Sequence, residues 1–363
     1  MLSTDRSALN ADSAFRGRLK EYALHTDRLI VLVAAHHPAT IEVDEKLQIM
    51  GCERHSKIAI FFELLQKARS LIADDPRAWL LSTQEEFTGL IGYMIKRSHG
   101  TKWQAQVHTD IGSPYYGHVF LKNRIRAFIA KRTLGFASCI RVVSERVRNN
   151  IQRYCSQIPM TIVPIYVDKE RFRADLLRHN SPERFTVVMV GRLVKEKNIS
   201  LALNVFSELL KKVPHAKLEI IGDGPEKKKL FHESRMLGLE RAVSFRGNLK
   251  EVESILHEAD VYMLTSWYEG YGMSVIEAMA AGCAVIMTEV GIAGEICIDG
   301  VSGLIVPPGG KKGLLGALLS LADDPSLRDR LGKGARKAIE KLPTRAEYMT
   351  EYHRSLKVCL NNP

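Results

Sequence analysis

Between residues 185 and 306, apolar β-branched runs of strand length alternate with stretches whose apolar positions recur at helical spacing. The strand-length runs are Phe185–Val190, Lys217–Ile221, Val243–Phe245, Asp260–Thr265, Ala284–Thr288 and Gly303–Val306. Helical patterns fill Ser200–Val213, Pro225–Leu237, Lys250–Glu258 and Ser274–Ala281. Short strands separated by helix-length segments predict parallel strands joined by right-handed crossovers, a doubly wound sheet. Ligands on such sheets sit at the carboxyl ends of the strands.

Before Phe185 the same alternation is fainter. Strand candidates are Arg28–Ala34, Lys46–Met50, Ala78–Ser82, Gln104–His108, Ile140–Val143 and Met160–Pro164. A polar stretch ending in Asn180-Ser181-Pro182 lacks apolar periodicity and reads as a linker. The chain of 363 residues is long enough for two α/β domains. The expected division is residues 1–172, a linker at 173–184, residues 185–344, and a final helix at 345–363. In that helix Tyr348, Tyr352, Leu356 and Leu360 recur every fourth residue, a face suited to crossing back onto the first domain.

Composition narrows the class. A hydrophobic share of 45% and a charged share of 26% are ordinary for a globular protein. The most apolar region, Val261–Met287, is broken by Ser266, Glu269 and Glu277, so no membrane span is expected. Asp5, Arg6, Asn10 and Asp12 interrupt any apolar core of a leader peptide, which makes the cytoplasm the expected location. The six cysteines are scattered, without a C-x-x-C spacing and mostly among apolar neighbours. They are expected to be buried reduced thiols rather than a disulfide framework or zinc site.

The net charge of +11 is uneven. Residues 1–180 hold 27 Lys+Arg against 18 Asp+Glu, and the remainder 25 against 23. The densest patch runs through Lys122, Arg124, Arg126, Lys131, Arg132, Arg141, Arg146 and Arg148 to Arg153, with Glu145 its one acid. Such a patch attracts an anionic membrane, a lipid phosphate or nucleic acid. The alternative is a solvated helix face.

Four features stand at predicted strand ends of the second half. Gly191-Arg192 followed by Lys197 joins a close-approach glycine to two cations suited to phosphate oxygens, and Asn198 or Ser200 suits the cap of the next helix. Gly222-Asp223-Gly224-Pro225 is a turn into a helix, not a dinucleotide fingerprint, because no third glycine follows. Glu269-Gly270-Tyr271-Gly272-Met273-Ser274 leads into a helix that carries Glu277. Loop amides and the positive end of that helix suit a diphosphate. Ionised carboxylates accept from paired hydroxyls, so two of them flanking an anion site fit a nucleotide sugar, with ribose on one side and hexose on the other. Val290-Gly291-Ile292-Ala293-Gly294 is a fourth flexible loop.

Together with Asp299-Gly300-Val301-Ser302-Gly303-Leu304-Ile305-Val306-Pro307, the first three of these segments resemble the donor-binding domain of family-4 retaining glycosyltransferases. The resemblance covers roughly residues 185–345. It implies an α/β GT-B fold: two Rossmann-like, doubly wound parallel-sheet domains facing across a cleft, with acceptor binding in the first and nucleotide-sugar donor binding in the second. It further implies that Arg192 and Lys197 hold the diphosphate, that Glu277 binds the ribose and Glu269 the donor sugar, and that the loop with Arg246 and Gly247 faces the base. Gly191, Gly270, Tyr271, Gly272, Met273 and Ser274 complete the donor set. In the first domain His108, closing the run Gln104–His108, matches a histidine that faces the donor sugar. Asp110 would orient it or meet the acceptor, and Arg16 would reach the acceptor or the diphosphate.

The first domain departs from many relatives in two ways. Asn10–Arg16 contains no glycine, and the first strand is reduced to Met1-Leu2-Ser3, although that strand is central and buried in the fold. Either the start lies upstream or the strand is short.

The implied activity is retaining transfer of a hexosyl unit to a hydroxyl of a glycan or lipid-linked acceptor, in cell-envelope polysaccharide or glycolipid synthesis. The cations replace a metal, and no D-x-D element is present, so neither metal nor cofactor is expected. Peripheral contact with the inner face of an anionic membrane is a further expectation. The alternatives are a nucleotide-sugar epimerase of the same fold, a basic nucleic-acid-binding protein and a non-catalytic scaffold. No RNP-like strand is present, so nucleic acid is not expected as a partner.

Overall fold

A computed structural model describes residues 1–38, 40–84, 87–173 and 184–362. The chain divides into two compact units, Met1–Pro164 with Thr344–Pro363, and Ile165–Pro343. Residues 165–172, expected with the first domain, group with the second. Of the expected linker, only Arg173 and Arg184 lie within the described residues.

The first unit is built on an eight-stranded sheet. Its strands are β1 (Leu2–Ser3), β2 (Leu29–His36), β3 (Thr40–Glu42), β4 (Leu47–Cys52), β5 (Leu80–Gln84), β6 (Lys102–Val107), β7 (Cys139–Val142) and β8 (Met160–Ile162). The order is β3-β4-β2-β1-β5-β6-β7-β8. All pairs are parallel except β3 against β4. The pattern of apolar runs did not indicate β3, whose three residues alternate exposed and half-buried on the sheet edge. The two-residue β1 lies between β2 and β5, with Leu2 beside both Leu32 and Thr83.

Helices α1 (Ala14–Leu24), α2 (Lys57–Ile72), α3 (Phe87–His99), α4 (Tyr116–Val119), α5 (Leu121–Thr133) and α6 (Glu145–Gln152) connect these strands. Ser13, Ser56 and Ser144 each accept a bond from an amide of the first turn, which fixes where α1, α2 and α6 begin.

The second unit has six strands: β9 (Phe185–Val190), β10 (Ala216–Ile221), β11 (Val243–Gly247), β12 (Val261–Leu264), β13 (Ala284–Thr288) and β14 (Leu304–Val306). Their order is β11-β10-β9-β12-β13-β14, parallel throughout. The connection therefore reverses between β9 and β12, the switch point at which doubly wound sheets bind ligands. Helices α7 (Ile199–Leu209), α8 (Lys227–Met236), α9 (Glu253–Glu258), α10 (Met273–Ala280), α11 (Lys311–Asp323) and α12 (Pro325–Glu340) surround it. Val187, Leu203, Phe206, Leu218, Ile286, Leu314 and Leu318 form part of one continuous core. Asp324 caps α12, whose first residue is Pro325.

The last helix, α13 (Arg345–Asn361), starts with a reciprocal capping box between Thr344 and Glu347 and belongs to the first unit. It closes over a polar interior. Gln104 donates to the Ser355 carbonyl at 3.1 Å, and Gln106 to the Ser82 hydroxyl at 2.7 Å. The Arg141 guanidinium reaches Gln106, the Val163 carbonyl and the Tyr348 hydroxyl, each at 3.2–3.3 Å. Tyr22 stacks on Tyr352 with ring centroids 4.1 Å apart.

Two expectations are corrected here. Arg141 is buried on β7 and is not part of a basic surface. Cys139 and Cys359 form a disulfide, with Cα atoms 4.9 Å apart and 220 residues of chain between them. The pairing depends on α13 lying across β7, which local cysteine spacing does not encode. Cys52, Cys155, Cys283 and Cys297 are buried free thiols. Among the described residues no helix is long and apolar enough to cross a membrane.

Candidate functional site

At the switch point of the second unit, β9 runs out into Gly191-Arg192 and β12 into Thr265-Ser266. These two strands are neighbours, with Val188 opposite Tyr262, so their outgoing loops leave the sheet side by side. A pocket there is lined by Val190, Gly191, Arg192, Lys197, Leu264 and Thr265. Small polar groups at the strand ends lock the loops together. The Thr265 hydroxyl donates to the carbonyls of Lys197 (2.8 Å) and Asn198 (3.1 Å). The Thr288 hydroxyl donates to the Ser266 carbonyl at 2.7 Å, and the Trp267 amide to the Glu196 carbonyl at 2.8 Å.

Asn198, at φ +50°, is the one non-glycine with positive φ among the described residues and forms the N-cap position of α7. Asparagine tolerates that conformation better than most side chains. Its side chain makes no capping bond. Ser200 instead donates to Glu233 at 2.6 Å.

The loop after β10 supports the Gly191-Arg192 loop from beneath. Gly222 has φ +134°, and a Cβ there would lie 1.9 Å from the Gly191 carbonyl oxygen. The Leu193 amide donates to the Asp223 carbonyl at 2.9 Å. Only glycine fits at 222 because one backbone packs directly on another.

Lys197 and Glu269 meet at 2.5 Å, and Ser266 donates to the same Glu269 carboxylate at 2.7 Å. Both charged side chains are largely buried, so this pair is held more firmly than a surface ion pair. Arg192 differs: its side chain is 79% exposed and approaches Glu196 only at 3.9 Å, which leaves its planar fork turned to solvent. Gly272, at φ +99°, occupies the N-cap position of α10. The amides of Met273 and Ser274 lie in the first turn, where a helix has no internal acceptors. Tyr262, buried in β12, donates to the Ser274 hydroxyl at 2.7 Å and so ties the start of α10 to the sheet.

Glu277 lies one turn into α10, half-buried. Burial pushes its carboxyl above the usual range and the Glu253 carboxylate adds to this, while Arg171 opposes both. Glu269 and Glu277 thus differ, one carboxylate already held by a lysine and a serine, the other raised by burial.

Arg246 forms a two-pronged contact with Glu219, at 2.9 and 3.2 Å, on the face of the sheet. Gly247 closes β11 and accepts from the Gly222 amide at 2.7 Å. Gly270 and Tyr271 continue the Glu269 loop. Tyr271 is buried, and its carbonyl accepts from the Ile292 amide at 3.1 Å, so the Val290–Gly294 loop braces it.

In the first unit, His108 follows the last residue of β6. Desolvation and the nearby Arg141 and Arg18 guanidinium groups push its pKa down to about 3, which keeps the imidazole neutral near pH 7. Both Asp110 carboxylate oxygens accept from Asn150, at 3.0 and 2.9 Å, which ties this loop to α6. Burial raises the Asp110 pKa against that bond. Arg16 lies in the first turn of α1, 7% exposed, and its Nε has no hydrogen-bond partner among the described residues.

Sequence reading did not single out Tyr262, Thr265, Ser266 or Thr288. Their signal was a polar side chain in or directly after an otherwise apolar strand run. That pattern marks an ordinary strand end until the facing loop is known.

The glycosyl transferases group 1 family profile matches residues 169–338. The glycogen synthase of Mycobacterium tuberculosis (strain ATCC 25618 / H37Rv) is 34% identical over 155 residues, 42% of this chain and 37% of that protein. The poly(glycerol-phosphate) alpha-glucosyltransferase of Bacillus subtilis (strain 168) is 26% identical over 284 residues, 77% of this chain and 40% of that protein. The chain thus spans about two fifths of the length of these relatives. Among solved structures, sucrose-phosphate synthase from Thermosynechococcus elongatus superimposes with a TM-score of 0.79 at 19% identity, covering 94% of this chain and 92% of that one. Anabaena HepE in complex with UDP-glucose gives 0.74 at 17% identity, covering 98% of both. Residues 169–338 thus carry the glycosyl transferases group 1 profile, and the doubly wound sheets of both units have the GT-B fold of these solved structures.

Proposed function

We propose that this chain transfers a hexosyl unit from a nucleoside diphosphate sugar to an acceptor hydroxyl, with retention at the anomeric carbon. The observation that carries the proposal is the switch-point cluster: Arg192 open to solvent, Lys197 bound to Glu269, and the first turn of α10 leading to Glu277.

The diphosphate is assigned to Arg192, Lys197 and the first amides of α10. In the transition state the bond from the sugar to the diphosphate breaks and its electron pair moves onto the phosphate oxygen. Fixed cations and amides oriented toward that oxygen lower the barrier without reorganising, and they supply this charge without a metal. Lys197 has three donors, so it can meet a phosphate oxygen and Glu269 together. Glu269 is assigned to the donor sugar hydroxyls and Glu277 to the ribose. Gly191, Gly247, Gly270, Tyr271, Gly272, Met273 and Ser274 shape the donor pocket. His108, neutral, is assigned to the transferred sugar, and the acceptor oxygen attacks on the face the diphosphate leaves, passing its proton to the departing phosphate. Arg16 and Asp110 are assigned to the acceptor side, Asp110 through the loop it holds.

The acceptor is assigned as a glycan or a lipid-linked acceptor of cell-envelope polysaccharide or glycolipid synthesis, reached from the cytoplasm at the inner face of a membrane. A thermal-shift panel of UDP-, GDP-, ADP- and TDP-sugars tests the donor. One should raise the melting temperature with concentration by mass action. A flat response to all four, alongside wild-type behaviour of Arg192→Ala and Lys197→Ala, would sink the proposal.

A further inference from the structure

We propose that α5 is a membrane-docking helix whose outer face lies on an anionic lipid surface. This deepens the transferase reading, on which the purpose of docking rests. A helix on a globular domain normally buries its apolar stripe and exposes its polar residues. In α5 that order is inverted. The buried face consists of Asn123, Ala127, Ala130 and Thr133. Leu121, Ile125 and Phe128 point outward, 74%, 61% and 59% exposed.

At about 100° per residue, Leu121, Ile125, Phe128 and Arg132 fall in one stripe roughly 60° wide. Lys122 and Arg126 border it on one side, and Arg124 and Lys131 on the other. Residues 121–133 contain no acid. The Arg132 guanidinium sits 5.0 Å above the Phe128 ring, and the Lys122 ammonium 4.7 Å above the Phe120 ring. Each pairing sets an apolar ring beside a charge on a flexible stem, so the ring can enter the acyl boundary while the charge stays among headgroups. A helix of 13 residues is too short to span a bilayer, but it suits one lying in the interface.

The charge pattern selects lipid over the other occupants. A second copy docked through the same face would set basic flanks against basic flanks. A polyanion in solution would match the flanks and leave the apolar stripe in water. An anionic bilayer satisfies both, with headgroups for the flanks and an acyl boundary for the stripe.

The test is flotation of the full chain with vesicles of phosphatidylcholine alone and of phosphatidylcholine with about one third phosphatidylglycerol. Wild type should bind the anionic vesicles about tenfold better. Leu121→Gln with Ile125→Gln and Phe128→Gln should lower that binding about tenfold at unchanged charge. Arg124→Gln with Arg126→Gln, Lys131→Gln and Arg132→Gln should lower it similarly and flatten its salt dependence. Every position changed is exposed except Lys131, which is half-buried, and the melting temperatures and nucleotide-sugar thermal shifts of both variants should match wild type. Wild-type flotation by the triple variant, or no flotation by wild type, would overturn the proposal. So would a dimer on size exclusion that the triple variant converts to monomer, with no vesicle binding. Vesicle binding without any nucleotide-sugar shift would leave the docking helix standing and remove the transferase reading.

Discussion

In the first unit the buried polar side chains Ser82, Gln104, Gln106 and Arg141 sit in the middle of β5, β6 and β7 and face partners on α13 and on one another. In the second unit Thr265, Ser266 and Thr288 sit where strands end, and they bond to the loops that carry Lys197 and Glu269. Buried polar side chains therefore do different work in the two units. Mid-strand polar groups fasten a distant helix, whereas strand-end polar groups set the geometry of a site. The family profile falls on the second arrangement, at residues 169–338.

The sharpest way to break this contrast is to remove the charges of the second unit. Arg192→Ala, Lys197→Ala and Glu277→Ala are each expected to lower turnover by about 10²–10³-fold with the fold intact, measured as donor-dependent release of nucleoside diphosphate. Near-wild-type rates in all three would dissolve the site. Next in size is Gly222→Ala, whose Cβ would strike the Gly191 carbonyl. It should destabilise by about 2–4 kcal/mol in urea titration and take nucleotide-sugar binding with it.

Arg141→Met should cost about 3 kcal/mol, because Gln106 and Tyr348 then lose a buried charged donor, yet nucleotide-sugar affinity should hold. Thr265→Val should do the reverse: about 1 kcal/mol of stability but several-fold weaker donor binding in calorimetry. If these two variants exchanged phenotypes, the division of labour between mid-strand and strand-end groups would be wrong.

The smallest expected effect concerns Glu277. Its folded-state pKa lies above the unfolded value because of burial, so the native state holds that proton more tightly. Stability from this group is present at low pH and is lost as pH rises through the folded pKa. Glu277→Gln should therefore raise the melting temperature slightly at neutral pH while weakening nucleotide binding, and the stability gain should shrink on acidification. A gain that grew toward acid pH would reverse the assigned cause.

Local signals made much of the second unit legible. The runs at Phe185, Lys217, Asp260 and Ala284 are β-branched and bounded by turns, and they became β9, β10, β12 and β13. The segment 269–277 reads as loop then helix because its glycines precede an apolar helical period. What stayed hidden depends on distant partners. Thr265 looks like any strand end until Lys197 is placed above it. Arg141, counted among surface cations, is buried only because α13 covers β7, and Cys139 pairs with Cys359 for the same reason. β3 is too short and too charged to register as an apolar run.

The place of α13 also bears on the order in which a ribosome releases the molecule. Every residue of the second unit, from Ile165 to Pro343, precedes this helix in the chain, whereas the first unit lacks Tyr348, Tyr352 and Ser355 until the whole of that second unit has been made. The nascent first unit must therefore wait with Gln104 and Arg141 unsatisfied while its neighbour can mature, inverting the usual rule that amino-terminal domains finish first.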